Sequence, residues 1–150
     1  NATDIFRITS ESPYVYNNIK FIKKSWNIHK KNNLDFSYLD NKIIDGCGFE
    51  IISLKALKLS HKLGKKKHRS ELCSLFIREN MEKFKTRKLK CPDYLLRQDL
   101  RLTIDYPEDL IICRDVYKNC KNYNLKNIVN YLDKTKSLKI MGKKIIQSEK

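Results

Sequence analysis

The amino-acid sequence predicts an α/β fold in which helices cover a layered sheet. Short runs of alternating apolar and polar residues take turns along the chain with segments of helical spacing. This is the order expected when strands and helices share one sheet. A length of 150 residues with 41% hydrophobic content suits a single domain with a substantial core. No internal repeat or low-complexity segment interrupts the pattern.

The elements follow in order. "DIFRIT" (Asp4 to Thr9) alternates and reads as a first strand. "SESP" breaks it, and Pro13 suits the first turn of a helix. Val15, Ile19, Ile22 and Trp26 then recur at spacings of 4, 3 and 4, one apolar helical face that ends at "KKNN". "LDFSYLD" (Leu34 to Asp40) alternates again as a second strand. Gly46 and Gly48 mark a tight bend or a close backbone approach, and "FEIIS" is a short strand after them. Ser53 is placed to cap a helix carrying Ala56, Leu59 and Leu63, with Gly64 just past its end. Ser70 is placed to cap "ELCSLFIREN", with Leu72, Leu75 and Phe76 inward. "KFKTRKLKC" (Lys83 to Cys91) reads as a polar-faced edge strand. "LRLTI" is a further strand, followed by a helix with Leu110, Cys113, Tyr117 and Cys120 on one side. A last helix, "NLKNIVNYLDK", closes a domain over residues 1–136, and residues 137–150 read as a basic tail.

Composition narrows the function classes. No stretch approaches the ~18 apolar residues of a membrane span, and no signal-peptide pattern is present, so no membrane partner is expected. Five cysteines, with no CxxC pair and no His-x-x-x-His, argue against a zinc site or disulfide framework and for a reducing, cytoplasmic setting. The net charge of +15 suggests nucleic acid, but 25 lysines against 7 arginines is the wrong balance for planar, bidentate recognition. The densest run, "KLGKKKHR", lies between two helical patterns as a solvated loop would.

The stretch "LRLTIDYPEDL" carries the sharpest question. Asp105 with Glu108 three residues on is a capping pattern, and Pro107 suits an early helical position. The other reading is topological, because open α/β sheets bind ligands beyond the carboxyl ends of their strands. Asp105 follows one predicted strand and Glu11 follows another. Two carboxylates at neighbouring strand ends can share a hard cation such as Mg2+. That ion would bridge phosphate oxygens in phosphoryl or nucleotidyl transfer.

Four segments, in order, resemble the cytidylyltransferases of the spore-coat polysaccharide and acylneuraminate type. "DIFRITSESP" is similar to a segment written D-hydrophobic-hydrophobic-R-I-T-G-D-x-P. "DGCGFEIISLKAL" resembles the Gly-x-x-x-Glu strand and its helix, and "HRSELCSLFIREN" the segment around Arg-Glu-His. "LRLTIDYPEDL" resembles Leu-Arg-Leu-Thr-Val-Asp-x-Pro-Glu-Asp. The resemblance covers Asp4 to Asn119. It implies a Rossmann-like nucleotide-diphosphosugar transferase fold, truncated at the N-terminus. The implied reaction joins CMP from CTP to a sugar or sugar acid for surface polysaccharide and releases pyrophosphate. Carried over residue by residue, Glu11 and Asp105 would be the catalytic, Mg2+-associated carboxylates. Glu50, Arg69 and Glu71 would face the sugar, and Arg7 and Arg101 are candidate phosphate or carboxylate partners or structural ion pairs. The family often dimerises, which leaves a homodimer open.

The pattern has departures. Ser10-Glu11 replaces Gly-Asp, Gly48 stands where an acidic residue is common, and Leu72 stands where a histidine follows Arg-Glu. Only four glycines occur, and none builds a GxGxxG, a Walker loop or the family's Q-x-R-x-x-S-x-R-L-P-x-K run. The expectation is therefore the sugar-and-metal portion of an enzyme, without the CTP-binding loop and inactive alone. His61 and His68 are candidate bases by residue type only. A relative that kept the fold but lost the chemistry, and a basic nucleic-acid-binding domain, are the alternatives.

Overall fold

Antiparallel and parallel pairings meet in one four-stranded sheet. Strands β1 (Asp4–Arg7), β2 (Phe36–Leu39), β3 (Glu50–Ser53) and β4 (Thr86–Leu89) lie in the order β1-β3-β2-β4. Strand β3 is antiparallel to both neighbours, with Arg7 opposite Glu50 and Phe36 opposite Ile52, while β2 and β4 run parallel. Among the described residues the α-helices are α1 (Ile19–Lys31), α2 (Leu54–Leu63), α3 (Leu75–Glu79), α4 (Pro107–Asn119), α5 (Leu125–Lys134) and α6 (Lys136–Ser148). The structure is a computed structural model that describes residues 2–148.

The chain divides into two compact units, each assembled from segments far apart in sequence. Unit 1 takes the chain up to Arg7, Asn18–Leu39 and Phe49–Leu89; unit 2 takes Ile8–Asn17, Asp40–Gly48 and the chain from Lys90 onward. Unit 1 holds the sheet with α1, α2 and α3. Phe36, Ile52, Ala56, Phe76, Ile77 and Phe84 form its core. Unit 2 holds α4, α5 and α6 around Leu102, Ile112, Val116, Ile128 and Leu132, each at most 2% exposed. Burying side chains of this size stabilises each unit by roughly 1.5–3 kcal/mol apiece.

Local chemistry explains most boundaries. Ser53 caps α2 by accepting from Ala56 N–H, as expected, and Gly64 follows directly. Asn124 caps α5 by accepting from Lys126 N–H. Strand β4 is at the sheet edge with Arg87 and Lys88 exposed, which discourages further pairing.

Four expectations shift. Strand β1 ends at Arg7, and α1 begins only at Ile19, where Asn18 accepts from Phe21 N–H as N-cap. Pro13 and Val15 are therefore outside the helix. Tyr14 and Tyr16 are buried in unit 2, where the Tyr14 hydroxyl donates to the Cys113 carbonyl and Tyr16 N–H to Cys47. Ser70 caps nothing, since α3 starts at Leu75 and the Ser74 hydroxyl donates to Glu50 instead. "LRLTI" forms no regular strand, only a single parallel bridge between Asp45 and Arg101, because its neighbours are short loops rather than a strand. In α4 the buried side chains are Asp109, Ile112, Cys113 and Val116, while Tyr117 is 66% exposed, so the face is rotated from the expected one.

Of residues 137–150, read from sequence as a basic tail, 137–148 run within α6 and bury Leu138, Gly142 and Ile145, while 149 and 150 lie outside the described residues. Lys139 pairs with both Asp99 and Asp133, and Arg97 pairs with the same two aspartates, tying α6 and α5 to the loop before residue 100.

Candidate functional site

Unit 2 builds a carboxylate cluster around one buried guanidinium. Arg101 is 3% exposed, and its nitrogens donate to three aspartates. Nε reaches Asp109 at 2.9 Å, Nη1 reaches Asp45 at 2.5 Å and Nη2 reaches Asp105 at 2.6 Å. Asp109 is fully buried, while the Asp45 and Asp105 side chains are 51% and 47% exposed. Charge-assisted bonds of this kind are the strong ones, and a planar fork can serve three partners at once.

The capping question receives a definite answer. Asp109, not Asp105, closes the start of α4: its Oδ2 accepts from the N–H groups of Asp105 and Tyr106 at 3.0 and 3.1 Å. Pro107 occupies the first helical position, as the sequence predicts. The Asp105 side chain is thereby released from backbone duty, and the Arg101 guanidinium also lies over the Tyr106 ring at 5.5 Å.

Glu11 enters the same unit through its backbone. Ile104 N–H donates to the Glu11 carbonyl at 2.9 Å, and the Thr103 hydroxyl approaches the same oxygen at 3.4 Å. The residue preceding Asp105 is thus hydrogen-bonded to Glu11, although 93 positions separate Glu11 from Ile104. A short turn holds Glu11: Ser12 N–H donates to the Thr9 carbonyl, and the hydroxyls of Thr9 and Ser12 are 2.8 Å apart. Gly46 completes the frame. It has φ +82°, and a Cβ there would sit 2.5 Å from the Thr103 nitrogen. The close backbone approach predicted at "DGCG" is therefore real at Gly46, beside the strand-like run that leads to Asp105.

Unit 1 brings Arg7 and the Glu71 backbone, but not Arg69, to the cluster around Glu50, which is 5% exposed. Its Oε1 accepts from the Ser74 hydroxyl at 2.9 Å and from Arg78 Nε and Nη2 at 3.1 and 2.5 Å, and its Oε2 accepts from Arg7 Nη1 at 3.1 Å. Arg7 also donates to the Glu71 carbonyl at 3.3 Å. Arg7, Glu50 and the Glu71 backbone are therefore brought together. Arg69 is exposed and 3.2 Å from His61 Nδ1. His68 has no nitrogen to spare as a base: Nδ1 accepts from Lys65 N–H and Nε2 faces Glu79 at 2.8 Å.

Sequence reasoning missed Asp45, Asp109, Arg78 and Ser74 as site residues. Asp45 and Asp109 were visible inside quoted motifs, as the residue before Gly46 and the last of "PED". Arg78 gave no signal, because its role depends on stacking over Phe36 and Tyr38 at 5.3 and 5.6 Å while holding Glu50.

Thiol chemistry has no place here. Among the described residues every cysteine is free. Burial is the main cause that pushes Cys47 up and Cys113 to about 12, so neither supplies a thiolate near neutral pH. For a metal, no group of three or more His, Cys, Asp or Glu is placed to hold one among the described residues. Glu11 and Asp105, the carboxylates expected to hold a hard cation, lie on backbone segments joined by the Ile104 N–H to Glu11 carbonyl bond, and the Asp105 carboxylate shares the Arg101 guanidinium with Asp45.

Comparison with known proteins gives two findings. The chain is 32% identical over 145 residues to an uncharacterized protein of Methanocaldococcus jannaschii, covering 95% of this chain and 58% of that protein. A cytidylyltransferase from Leptospira borgpetersenii shares the fold, with a TM-score of 0.77 over 91% of this chain and 58% of that one, at 20% identity. The mixed sheet with its helices is thus a Rossmann-like α/β fold, shared with that structure. No protein-family model matches. The chain spans less than two thirds of the length of the relatives it matches.

Proposed function

We propose that the chain is the sugar- and cation-binding portion of a cytidylyltransferase, which joins CMP from CTP to a sugar or sugar acid for surface polysaccharide. The observation that carries this reading is the 2.9 Å hydrogen bond from Ile104 N–H to the Glu11 carbonyl. It sets side by side the two segments whose acidic residues the family motifs associate with the metal. The fold shared with the Leptospira enzyme supports the reading from a separate direction.

In this reading Glu11 and Asp105 hold Mg2+, which when bound supplies charge neutralisation at the α-phosphate. The chain's own work is positioning. Asp109 fixes the backbone at the start of α4, and Arg101 orients the Asp105 carboxylate from the protein side while leaving it half exposed. Glu11 in place of aspartate is one methylene longer, and the Thr9–Ser12 turn sets where that longer side chain begins. Arg7, Glu50, Arg69 and Glu71 are assigned to the sugar. Attack by a sugar oxygen on the α-phosphorus expels pyrophosphate, a displacement that needs placement and electrostatics more than covalent help. The basic, glycine-bearing loop that cradles the triphosphate is not in these 150 residues, and the proposal assigns it to the remainder of a longer protein.

The test is pyrophosphate release from CTP by the full-length protein with candidate sugars. Asp105→Asn and Glu11→Gln are each expected to lower the rate about 100-fold or more. Unchanged release in Asp105→Asn overturns the assignment.

A further inference from the structure

We propose that the outer face of α1 is a docking surface for an anionic phospholipid bilayer, on which the protein lies without crossing it. This goes beyond the catalytic reading and does not rest on it. Helix α1, "IKFIKKSWNIHKK", has 13 residues and no acidic one. At 100° per residue its solvent arc carries Ile19, Lys20, Lys23, Lys24, Asn27, Lys30 and Lys31, while Ser25 and His29 are buried on the opposite side. Lys30 is neutralised by Asp4 at 2.6 Å. Lys20, Lys23, Lys24 and Lys31 have no ion pair among the described residues. They line a shallow cavity of about 490 Å³ with Asn27, Ile28 and Asn32.

The charge extends well beyond one helix. Unit 1 carries 18 of the 32 lysines and arginines but 6 of the 17 acidic residues, a net of +12, which leaves +3 for unit 2. Such a field steers the molecule onto a negative surface. The chemistry of the arc selects among negative surfaces. Its fully exposed positions hold no arginine and no aromatic ring, Phe21 and Trp26 of the same helix being half-buried, so it lacks a freely exposed group for reading or stacking bases. It does hold Ile19, 62% exposed beside the lysines, an apolar side chain placed to enter the headgroup layer. Lysines near a charged bilayer each add a similar increment of attraction.

The experiment is sedimentation of the 150-residue chain with vesicles. Binding is expected to vesicles containing about a third phosphatidylglycerol and not to pure phosphatidylcholine, with release near 0.5 M salt, roughly, through screening. The variant Lys20→Gln, Lys23→Gln, Lys24→Gln should bind about 100-fold more weakly, at roughly fivefold per lysine. Ile19→Ser should weaken it a further few-fold. These positions are on the exposed arc, and an unchanged circular dichroism spectrum verifies folding. A control of equal charge, Lys136→Gln, Lys143→Gln, Lys144→Gln on α6, should bind like the parent. Equal loss in the control overturns the proposal, because net charge alone would then account for binding. Absence of binding to anionic vesicles, or displacement from them by a stoichiometric oligonucleotide, also overturns it.

Discussion

The polar clusters of the two units are mirror images in charge. In unit 1 a single buried carboxylate, Glu50, is held between two guanidiniums, Arg7 and Arg78. In unit 2 a single buried guanidinium, Arg101, is held among three carboxylates, of which only Asp109 is fully buried. Within these named groups the sum differs in sign, with one more positive charge than negative around Glu50 and two more negative than positive around Arg101. Over whole units the difference is one of magnitude and not of sign, +12 against +3. The cluster of unit 2 leaves two of its carboxylates about half exposed, whereas that of unit 1 encloses its carboxylate.

The largest test removes the hub of unit 2. Arg101→Met strands the fully buried Asp109 carboxylate, and is expected to lower unfolding free energy by about 3–5 kcal/mol, read from urea midpoints. Amide exchange should rise first in α4, whose N-terminus Asp109 closes. Gly46→Ala comes next. With φ +82° and a Cβ 2.5 Å from the Thr103 nitrogen, it should cost about 2–3 kcal/mol and disturb the segment before Asp105. A Gly46→Ala protein of parental stability would mean the close approach does not hold that segment.

Glu50→Gln probes unit 1. The replacement keeps the shape and leaves two arginines without a charged partner, and about 2 kcal/mol of destabilisation is expected. If it costs as much as Arg101→Met, the two clusters are equally dependent on their hubs and the contrast fails.

The smallest effect is in pH. His29 is buried with Nδ1 2.8 Å from Ser37 Oγ and Nε2 3.1 Å from Asp4, and burial is the main cause that holds it below its ordinary value. A depressed histidine stays neutral in the folded state while the unfolded chain takes up a proton. Stability is therefore full above about pH 6.5 and declines as pH falls through and below that value. For Asp4, burial raises the carboxyl, but hydrogen bonds from Lys30, Thr3 and His29 outweigh it and leave it lowered, adding a second loss below its ordinary range. Urea midpoints from pH 8 to pH 5 should show a shallower slope for His29→Gln than for the parent. Identical slopes would remove His29 from the account.

Much of the fold was legible because it rests on local rules. The period of Ile19, Ile22 and Trp26 marks α1, Ser53 marks the start of α2, and a lysine-rich alternating run marks the edge strand β4. The departures arose where distant partners took residues away from their local preference. "SPYVYN" has helical spacing, but Tyr14 and Tyr16 are buried in unit 2 through Cys113 and Cys47. "LRLTI" has strand alternation, yet no strand runs alongside it. The site was legible in the same uneven way. Glu11 and Asp105 were named as candidates from motifs, whereas Arg78 was not, because its place over Phe36 and Tyr38 exists only once β2 and α3 are packed.

Composition, periodicity and capping residues along the chain were enough to specify an α/β protein and most of its helices. They act over a few neighbouring positions, where geometry follows directly from covalent spacing. Which aspartate caps α4, which carboxylates share Arg101 and which guanidiniums enclose Glu50 depended on contacts between segments 28 to 56 positions apart or on competition within one turn. Such choices are made by burial and by hydrogen-bond supply in the packed state, where a charge must find a partner or remain in water.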